Sequence, residues 1–172
     1  MIDPARALRP ATPADLAAIV GLIRELAVYE KLEHLVVATP ETIAPYLFGP
    51  RPAAEVVVAE IEVGGRPEVV GFALFFTNFS TFLGRPGLYL EDLFVQPAHR
   101  GLGLGKALLA HLGALAVERG CGRFEWSVLD WNASAIGFYE RMGATLLPDW
   151  RICRVTGDAL AAFAPAGART AA

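Results

Sequence analysis

The chain has 172 residues, 54% of them hydrophobic and 19% charged, and a net charge of −3 at pH 7. This length suits one domain with a proper core, and the composition excludes a disordered chain. A net negative charge argues against a nucleic-acid-binding surface and permits a cationic substrate. Cys121 and Cys153 lie far apart and in no metal-ligand spacing, which predicts free thiols in a reducing cytosol. Because no leader-like start and no membrane-length apolar run is present, we expect a cytoplasmic protein.

The first half of the chain predicts helices that begin at threonine-proline pairs, and a β-hairpin. Thr12 and Thr39 are each followed by proline, so each is a predicted N-cap. Two β-branched and aromatic runs joined through Gly64-Gly65 predict the hairpin. The predicted elements are a strand over Ala5–Arg9, helices from Thr12 to about Tyr29 and from Thr39 to near Gly49, and strands over 55–61 and 69–77.

The second half alternates strands and helices without a repeat or a linker. Its predicted elements are strands over 88–95, 123–129 and near 151–155, helices over 103–119 and 132–142, a short helix after Gly157, and a flexible tail from Pro165 to Ala172. Together the elements predict one α/β domain over residues 1–172 with a mixed, mostly antiparallel sheet.

The stretch from Leu88 to Ala116 predicts an anion-binding turn. An apolar strand ends at Gln96-Pro97, the glycine-rich run RGLGLG follows at 100–105, and apolar residues then recur at helical spacing. A strand, a glycine-rich turn and a helix N-terminus present free N–H groups and a positive dipole end. A phosphate is the usual occupant of such a turn.

Spacing separates this turn from two other phosphate-binding motifs. A P-loop needs four residues between its first glycine and Gly-Lys, but Gly101 and Gly105 are separated by three, and Lys106 is followed by alanine. A dinucleotide fingerprint would need a further glycine at Lys106 or at Leu108. The remaining alternatives are a purely structural turn and the pattern Arg-x-x-Gly-x-Gly, which Arg100, Gly103 and Gly105 satisfy.

That pattern resembles the pyrophosphate loop of the GNAT superfamily of acyl-CoA-dependent N-acetyltransferases. A second motif, DWNASAIGFYERMGA at 130–144, follows at the family's distance with its asparagine, Phe-Tyr pair and helix-ending glycine. The runs RPAT (9–12), ELAVYE (25–30) and YLEDLFV (89–95) are similar to the diamine (spermidine/spermine) N-acetyltransferases. The resemblance spans roughly residues 9–155 and implies a GNAT fold, with helices on both faces of the central sheet.

The resemblance implies that a primary amine attacks the thioester of acetyl-CoA directly. Such a reaction needs a base for the ammonium proton and an acid for the leaving thiolate. Glu91 is the predicted base, with a solvated or salt-bridged strand carboxylate as the alternative. Tyr139 is the predicted acid, with an interfacial tyrosine packed by its ring as the alternative. Neither cysteine lies in a motif that would make it a covalent nucleophile.

The same resemblance implies how coenzyme A is held, without a metal ion. The main chain near Phe94–Gln96 would pair with the pantetheine arm, and N–H groups near Phe94 and Val95 would polarise the thioester oxygen. Asn132 would bond the same arm, or cap its helix, and the two roles are compatible. The predicted coenzyme A contacts are Phe94, Val95, Gln96, Arg100, Gly101, Leu102, Gly103, Leu104, Gly105, Lys106, Asn132 and Tyr139.

The predicted substrate is a small cationic amine. Tyr29, Glu30, Glu33, Glu91 and Asp92 are the candidate substrate residues, and the four acids among them would attract a cation. The chain departs from the polyamine enzymes, which have Asp-Pro-Trp at the position of Ser80-Thr81-Phe82 and a further acid at the position of His34. A shorter diamine, or an amino acid with a side-chain amine such as thialysine, therefore fits about as well as a long polyamine.

The sequence leaves two other functional classes as alternatives. A coenzyme A sensor or scaffold of the same fold would bind the cofactor without turnover, and a nucleotide-binding protein would bind ATP or NAD. The resemblance also implies a homodimer. We expect no nucleic-acid or membrane partner.

Overall fold

The computed structural model describes residues 3–165, which form two compact units divided after Ser127. The strands are β1 Leu8–Pro10, β2 Glu55–Val63, β3 Arg66–Ser80, β4 Arg85–Val95 and β5 Arg123–Trp126. The α-helices of the larger unit are α1 Leu16–Glu30, α2 Pro40–Phe48 and α3 Leu104–Glu118, and those of the smaller are α4 Ala133–Arg141 and α5 Gly157–Ala161. Beyond Pro165, the predicted tail lies outside the described residues.

One five-stranded sheet in the order β1-β2-β3-β4-β5 forms the larger unit. The first four strands pair antiparallel and only β4 and β5 pair in parallel, so the predicted mixed, mostly antiparallel sheet is confirmed. The predicted hairpin joins β2 and β3, with Val63 opposite Arg66. Gly64 and Gly65, at φ 59° and 80°, form its two-residue loop, a conformation that glycine adopts without strain.

Helices cover both faces of this sheet because its apolar side chains alternate between them. On the first face, Phe72 and Phe94 belong to a core with Leu22 of α1 and Leu47 of α2. On the second face, the residues that alternate with these are also buried, and α3 packs against β3 and β4. The buried residues of this second face and of α3 are Ala73, Phe75, Leu88, Leu90, Leu104, Leu108 and Leu112.

An ion-pair network joins β1, the start of α1 and β2. Two guanidinium nitrogens of Arg9 donate to the two carboxylate oxygens of Asp15, each at 2.8 Å, and Nη2 also donates to Glu60. The N–H and O–H of Thr12, the predicted N-cap, both donate to one carboxylate oxygen of Asp15, at 2.7 and 2.9 Å. Arg9, followed by these N–H and O–H donors, holds the pKa of the buried Asp15 carboxyl well below its usual range.

Three predicted strands differ from the structure. The strand predicted near 151–155 is wrong: no strand forms there, and Ile152 and Val155 are exposed. A strand needs a partner for its backbone groups, and no described strand pairs with this segment. The strand predicted over 123–129 ends at Trp126, where pairing with β4 stops. The first strand begins at Leu8 because Ala5 and Arg6 donate instead to Asp3 in a turn.

Candidate active site

The outer edge of β4 is open over its second half. β5 pairs with β4 only from Gly87 to Leu90, so within the described chain residues 91–95 have no neighbouring strand on that side. The pairing of β3 with β4 also shifts register, because Phe75 lies opposite Leu90 whereas Leu74 lies opposite Asp92. Glu91 is the extra residue of this β-bulge. The open edge and the bulge leave main-chain donors and acceptors that an extended ligand can pair with.

The glycine-rich turn connects the open edge of β4 to α3. After Val95, a single 3-10 turn spans Pro97–His99, and Gly101 and Gly103 then take φ values of 82° and 83°. After Arg100, the next N–H that donates to the main chain is that of Ala107, to Gly103 at 2.9 Å. The N–H groups of residues 101–106 make no main-chain hydrogen bond among the described residues. These groups and the positive end of α3 fit a diphosphate.

The Arg100 side chain lies against α1 and β4. Its Nε donates to the Val95 carbonyl at 3.0 Å, and its guanidinium carbon lies 4.8 Å from the Tyr29 ring centre and 5.6 Å from that of Phe94. Such cation–π stacking fixes the guanidinium plane. The structure thus brings the predicted substrate residue Tyr29 and the predicted cofactor residue Arg100 into contact.

Three of the predicted acids, Glu30, Glu91 and Asp92, interact electrostatically beside the bulge and are called the acidic group below. Asp92 shares the α1-covered face of the sheet with Leu74 and Phe94, its neighbours by register and alternation. Burial there, and then the charges of Glu91 and Glu30, raise the pKa of Asp92 to about 6. Burial also raises the pKa of Glu30. The raised pKa places the change of charge of Asp92 near pH 6.

The other predicted residues of the larger unit lie at the surface or along the turn. Glu91 is exposed at the bulge, and Glu33 is exposed and is not among the charges that shift the pKa of Asp92. Gln96 donates to the main-chain oxygen of Val70 and, through Nε2, to Glu25 at 2.9 Å. Leu102 and Lys106 are exposed, whereas Leu104 is buried.

Asn132 and Tyr139 lie in the smaller unit, which begins at Val128. The side-chain oxygen of Asn132 accepts the Ala135 N–H at 3.2 Å, so Asn132 caps α4 as its structural alternative predicted. The Tyr139 ring is partly buried and lies 5.3 Å from that of Phe138.

The sequence did not predict a polar cluster on the first face of the sheet. Asn78 of β3 donates to Glu125 of β5 at 2.9 Å, and Glu125 forms an ion pair with Arg123 at 3.2 Å. Residues 78 and 125 are too distant in the chain to give a local signal. Gly87, which directly precedes the predicted strand over 88–95, is a local sign of a close backbone contact.

Comparison with known proteins identifies the family. Residues 23–144 match the model described as the Acetyltransferase (GNAT) family. The chain belongs to the GNAT acetyltransferase family. GNAT enzymes use acyl-CoA, and the free N–H groups of the turn and the open edge of β4 fit such a donor. The predicted GNAT fold is thereby confirmed.

Curated relatives of this acetyltransferase are similar over most of its length. L-ornithine N5-acetyltransferase of Arabidopsis thaliana is 38% identical, and the alignment covers 91% of this chain and 86% of the relative. Thialysine N-epsilon-acetyltransferase of Bos taurus is also 38% identical, with coverage of 89% and 94%. A human spermidine/spermine N(1)-acetyltransferase-like protein 1 is 30% identical over 89% of this chain but only 23% of its own length.

Solved structures resemble this acetyltransferase in fold. An integron cassette protein from the mobile metagenome of V. cholerae has a TM-score of 0.72 and 28% identity, covering 90% of this chain and 94% of its own. An aminoglycoside acetyltransferase from an uncultured soil sample reaches 0.69 at 18% identity, covering 87% and 94%. At that identity the second match supports the fold alone.

Among residues 3–165, no group of three or more His, Cys, Asp or Glu side chains could hold a metal ion, and no helix could cross a membrane.

Proposed function

We propose that this GNAT protein transfers the acetyl group of acetyl-CoA to the terminal primary amine of a small cationic compound. The observation that carries the proposal is the position of the Glu30–Glu91–Asp92 group at the bulge and open edge of β4. An acyl donor extended along that edge would end beside carboxylates that attract an ammonium group. The relatives named for ornithine and thialysine act on amino acids with a terminal amine, so we include such compounds with the diamines.

In the proposed reaction, the amine nitrogen forms a bond to the acetyl carbon while the carbon–sulfur bond of the thioester breaks. Glu91, directly or through a water molecule, would accept the proton that the ammonium group must lose before attack. Tyr139 would donate a proton to the departing thiolate. Asp92, Glu30, Glu33 and Tyr29 would bind the amine, and main-chain N–H groups near Phe94 and Val95 would polarise the thioester oxygen.

Coenzyme A would bind along the glycine-rich turn and the open edge of β4. The N–H groups of residues 101–106 would hold the diphosphate, with Arg100 and Lys106 supplying positive charge. The β4 main chain at Phe94–Gln96 would pair with the pantetheine amides, and Asn132 would contact the same arm. A homodimer is also proposed, on the family resemblance alone, and gel filtration with light scattering would test it. A cytoplasmic location is proposed from the cysteine usage.

A thiol-release assay tests the function. Wild-type protein mixed with acetyl-CoA and each of putrescine, spermidine, ornithine, lysine analogues and aminoglycosides is expected to release free coenzyme A with at least one amine, together with the acetylated product. Coenzyme A binding by calorimetry without thiol release from any amine would contradict the proposal and favour the sensor alternative.

The two catalytic roles have their own test. Glu91→Gln and Tyr139→Phe are each expected to lower kcat by at least about 10-fold, because water can partly replace either group. The affinity for coenzyme A, measured by calorimetry, should change little in both variants. Thiol release at the wild-type rate in both variants would refute the assignments while leaving the acetyltransferase function intact.

A further inference from the structure

The polar cluster of Asn78, Arg123 and Glu125 is built around the missing side chain of Gly87. Asn78, Gly87 and Arg123 lie opposite one another across β3, β4 and β5. A Cβ atom on residue 87 would lie 2.4 Å from Oδ1 of Asn78 and 3.1 Å from Nε of Arg123. Only glycine therefore lets the two side chains meet over the central strand.

Internal contacts fix the buried part of this cluster. Nη2 of Arg123 lies 3.2 Å from a carboxylate oxygen of Glu125 and donates to the Phe79 carbonyl at 3.4 Å. The same Glu125 oxygen accepts Nδ2 of Asn78 at 2.9 Å. Oδ1 of Asn78 and Nε of Arg123 are buried and have no hydrogen-bond partner within the described structure. Two incompletely satisfied groups are costly for a purely structural cluster, and such groups call for an explanation.

The outward atoms of the cluster remain available. Nη1 of Arg123 and Oε2 of Glu125 make no hydrogen bond with the described residues, and the two side chains are 37% and 33% exposed. A guanidinium group binds a carboxylate with matching planar geometry, and a carboxylate binds an ammonium group. An adjacent pair of this kind complements the α-carboxylate and α-ammonium groups of a free amino acid.

The pair lies on the same sheet face as Asp92, at a distance that suits such a substrate. Glu125 is opposite Tyr89, three residues from Asp92 along β4, or about 10 Å at the usual strand rise, and Arg123 is opposite Gly87, two residues farther. Between the positions of Arg123 and Asp92, the ring of Tyr89 lies 5.1 Å from that of Phe76, and its hydroxyl lies 2.9 Å from that of Ser127. These rings offer an apolar floor for the methylene groups that separate the two ends of a basic amino acid.

We propose that Arg123 and Glu125, positioned by Asn78 over Gly87, bind the α-carboxylate and α-ammonium groups of the substrate. The preferred substrate is then an α-amino acid with a terminal amine, such as ornithine, in preference to the corresponding diamine. The inference rests on the acetyltransferase function proposed above. It adds a binding subsite three to five residues along the strand from Asp92.

Ornithine and putrescine form a matched test pair because putrescine is ornithine without the α-carboxylate. The wild-type protein is expected to show at least about 10-fold higher kcat/KM for ornithine. Arg123→Gln should lower kcat/KM for ornithine by about 30-fold, mainly through KM, and that for putrescine by less than about 3-fold, because one charge-assisted contact is lost. Glu125→Gln should lower both, since either substrate has a distal ammonium group.

Putrescine turnover by Arg123→Gln serves as the folding control, and thermal melting of the variant provides a second one. Calorimetric titration of ornithine and putrescine into the complex with coenzyme A gives a readout that does not need turnover. Tighter binding of ornithine, lost in Arg123→Gln, supports the subsite even if thiol release fails. Equal losses for both ligands, or a wild-type preference for putrescine, would overturn the subsite while leaving the acetyltransferase function standing.

Discussion

Replacing Asp92 with asparagine is expected to stabilise the protein and impair it at the same time. We expect the free energy of unfolding at pH 7.5 to rise by about 2 kcal/mol, and kcat/KM for the amine to fall by about 100-fold. Burial, followed by Glu91 and Glu30, raises the pKa of Asp92 from 3.8 to about 6. The ionised carboxylate therefore costs on the order of 3 kcal/mol above pH 6. A neutral asparagine removes most of that cost and also the charge that would bind the ammonium group.

The sign of the pH dependence follows from the raised pKa. Protonated Asp92 contributes stability that is fully present below about pH 4 and is lost as the pH rises through about 6. Urea unfolding from pH 4 to pH 7.5 should show this loss in the wild type and not in Asp92→Asn. Likewise, kcat/KM of the wild type should fall below about pH 6, where Asp92 becomes neutral.

Glu91→Gln is the matched control for this prediction because Glu91 is the exposed neighbour on the same strand. It should change the free energy of unfolding at pH 7.5 by less than about 0.5 kcal/mol, apart from the small gain from removing its repulsion of Asp92. An Asp92→Asn variant that is less stable than the wild type at pH 7.5, or that retains full activity, would contradict the assignment.

Arg9→Met is expected to lower the free energy of unfolding by about 3 kcal/mol. The change leaves the Asp15 carboxylate, whose side chain is only 8% exposed, without its cation. Removing one partner of a buried ion pair typically costs about this much, because the remaining charge stays desolvated. Urea denaturation at pH 7.5 measures the effect.

The double variant Arg9→Met/Asp15→Asn supplies the control. It should recover at least about 1 kcal/mol relative to Arg9→Met, because no unpaired buried charge remains. In the wild type, the lowered pKa of Asp15 makes its contribution present above about pH 4 and lost as the pH falls toward its folded value. Arg9→Met should therefore lose less stability than the wild type on acidification below pH 4. A double variant no more stable than Arg9→Met would argue that Arg9 acts through packing instead.

The sequence predicted those elements whose signals are local. The threonine-proline caps, the Gly64-Gly65 hairpin and the turn between Gln96 and Leu104 depend on residues within a few positions of each other, and each is confirmed. The strand predicted near 151–155 failed because strand formation depends on a distant partner. The five residues of the segment cannot indicate whether that partner exists.

The candidate site also has parts that local sequence signals predicted and parts that they did not. Local patterns were sufficient to propose Arg100–Gly105 as an anion-binding turn and to place Glu91 and Asp92 beside it. Local patterns could not indicate which of the two side chains is exposed. That difference comes from the register shift at Leu74 and Phe75, which leaves Glu91 exposed and turns Asp92 toward α1.

Sequence by itself determined the family, the order of most elements and the position of the glycine-rich turn, because each of these depends on short-range spacing. Tertiary structure alone decided that the pKa of Asp92 is raised, which edge of β4 is open, and that Asn78, Gly87 and Arg123 meet. Burial, strand pairing and contacts between residues some 40 positions apart depend on the whole packed sheet. No local pattern contains them.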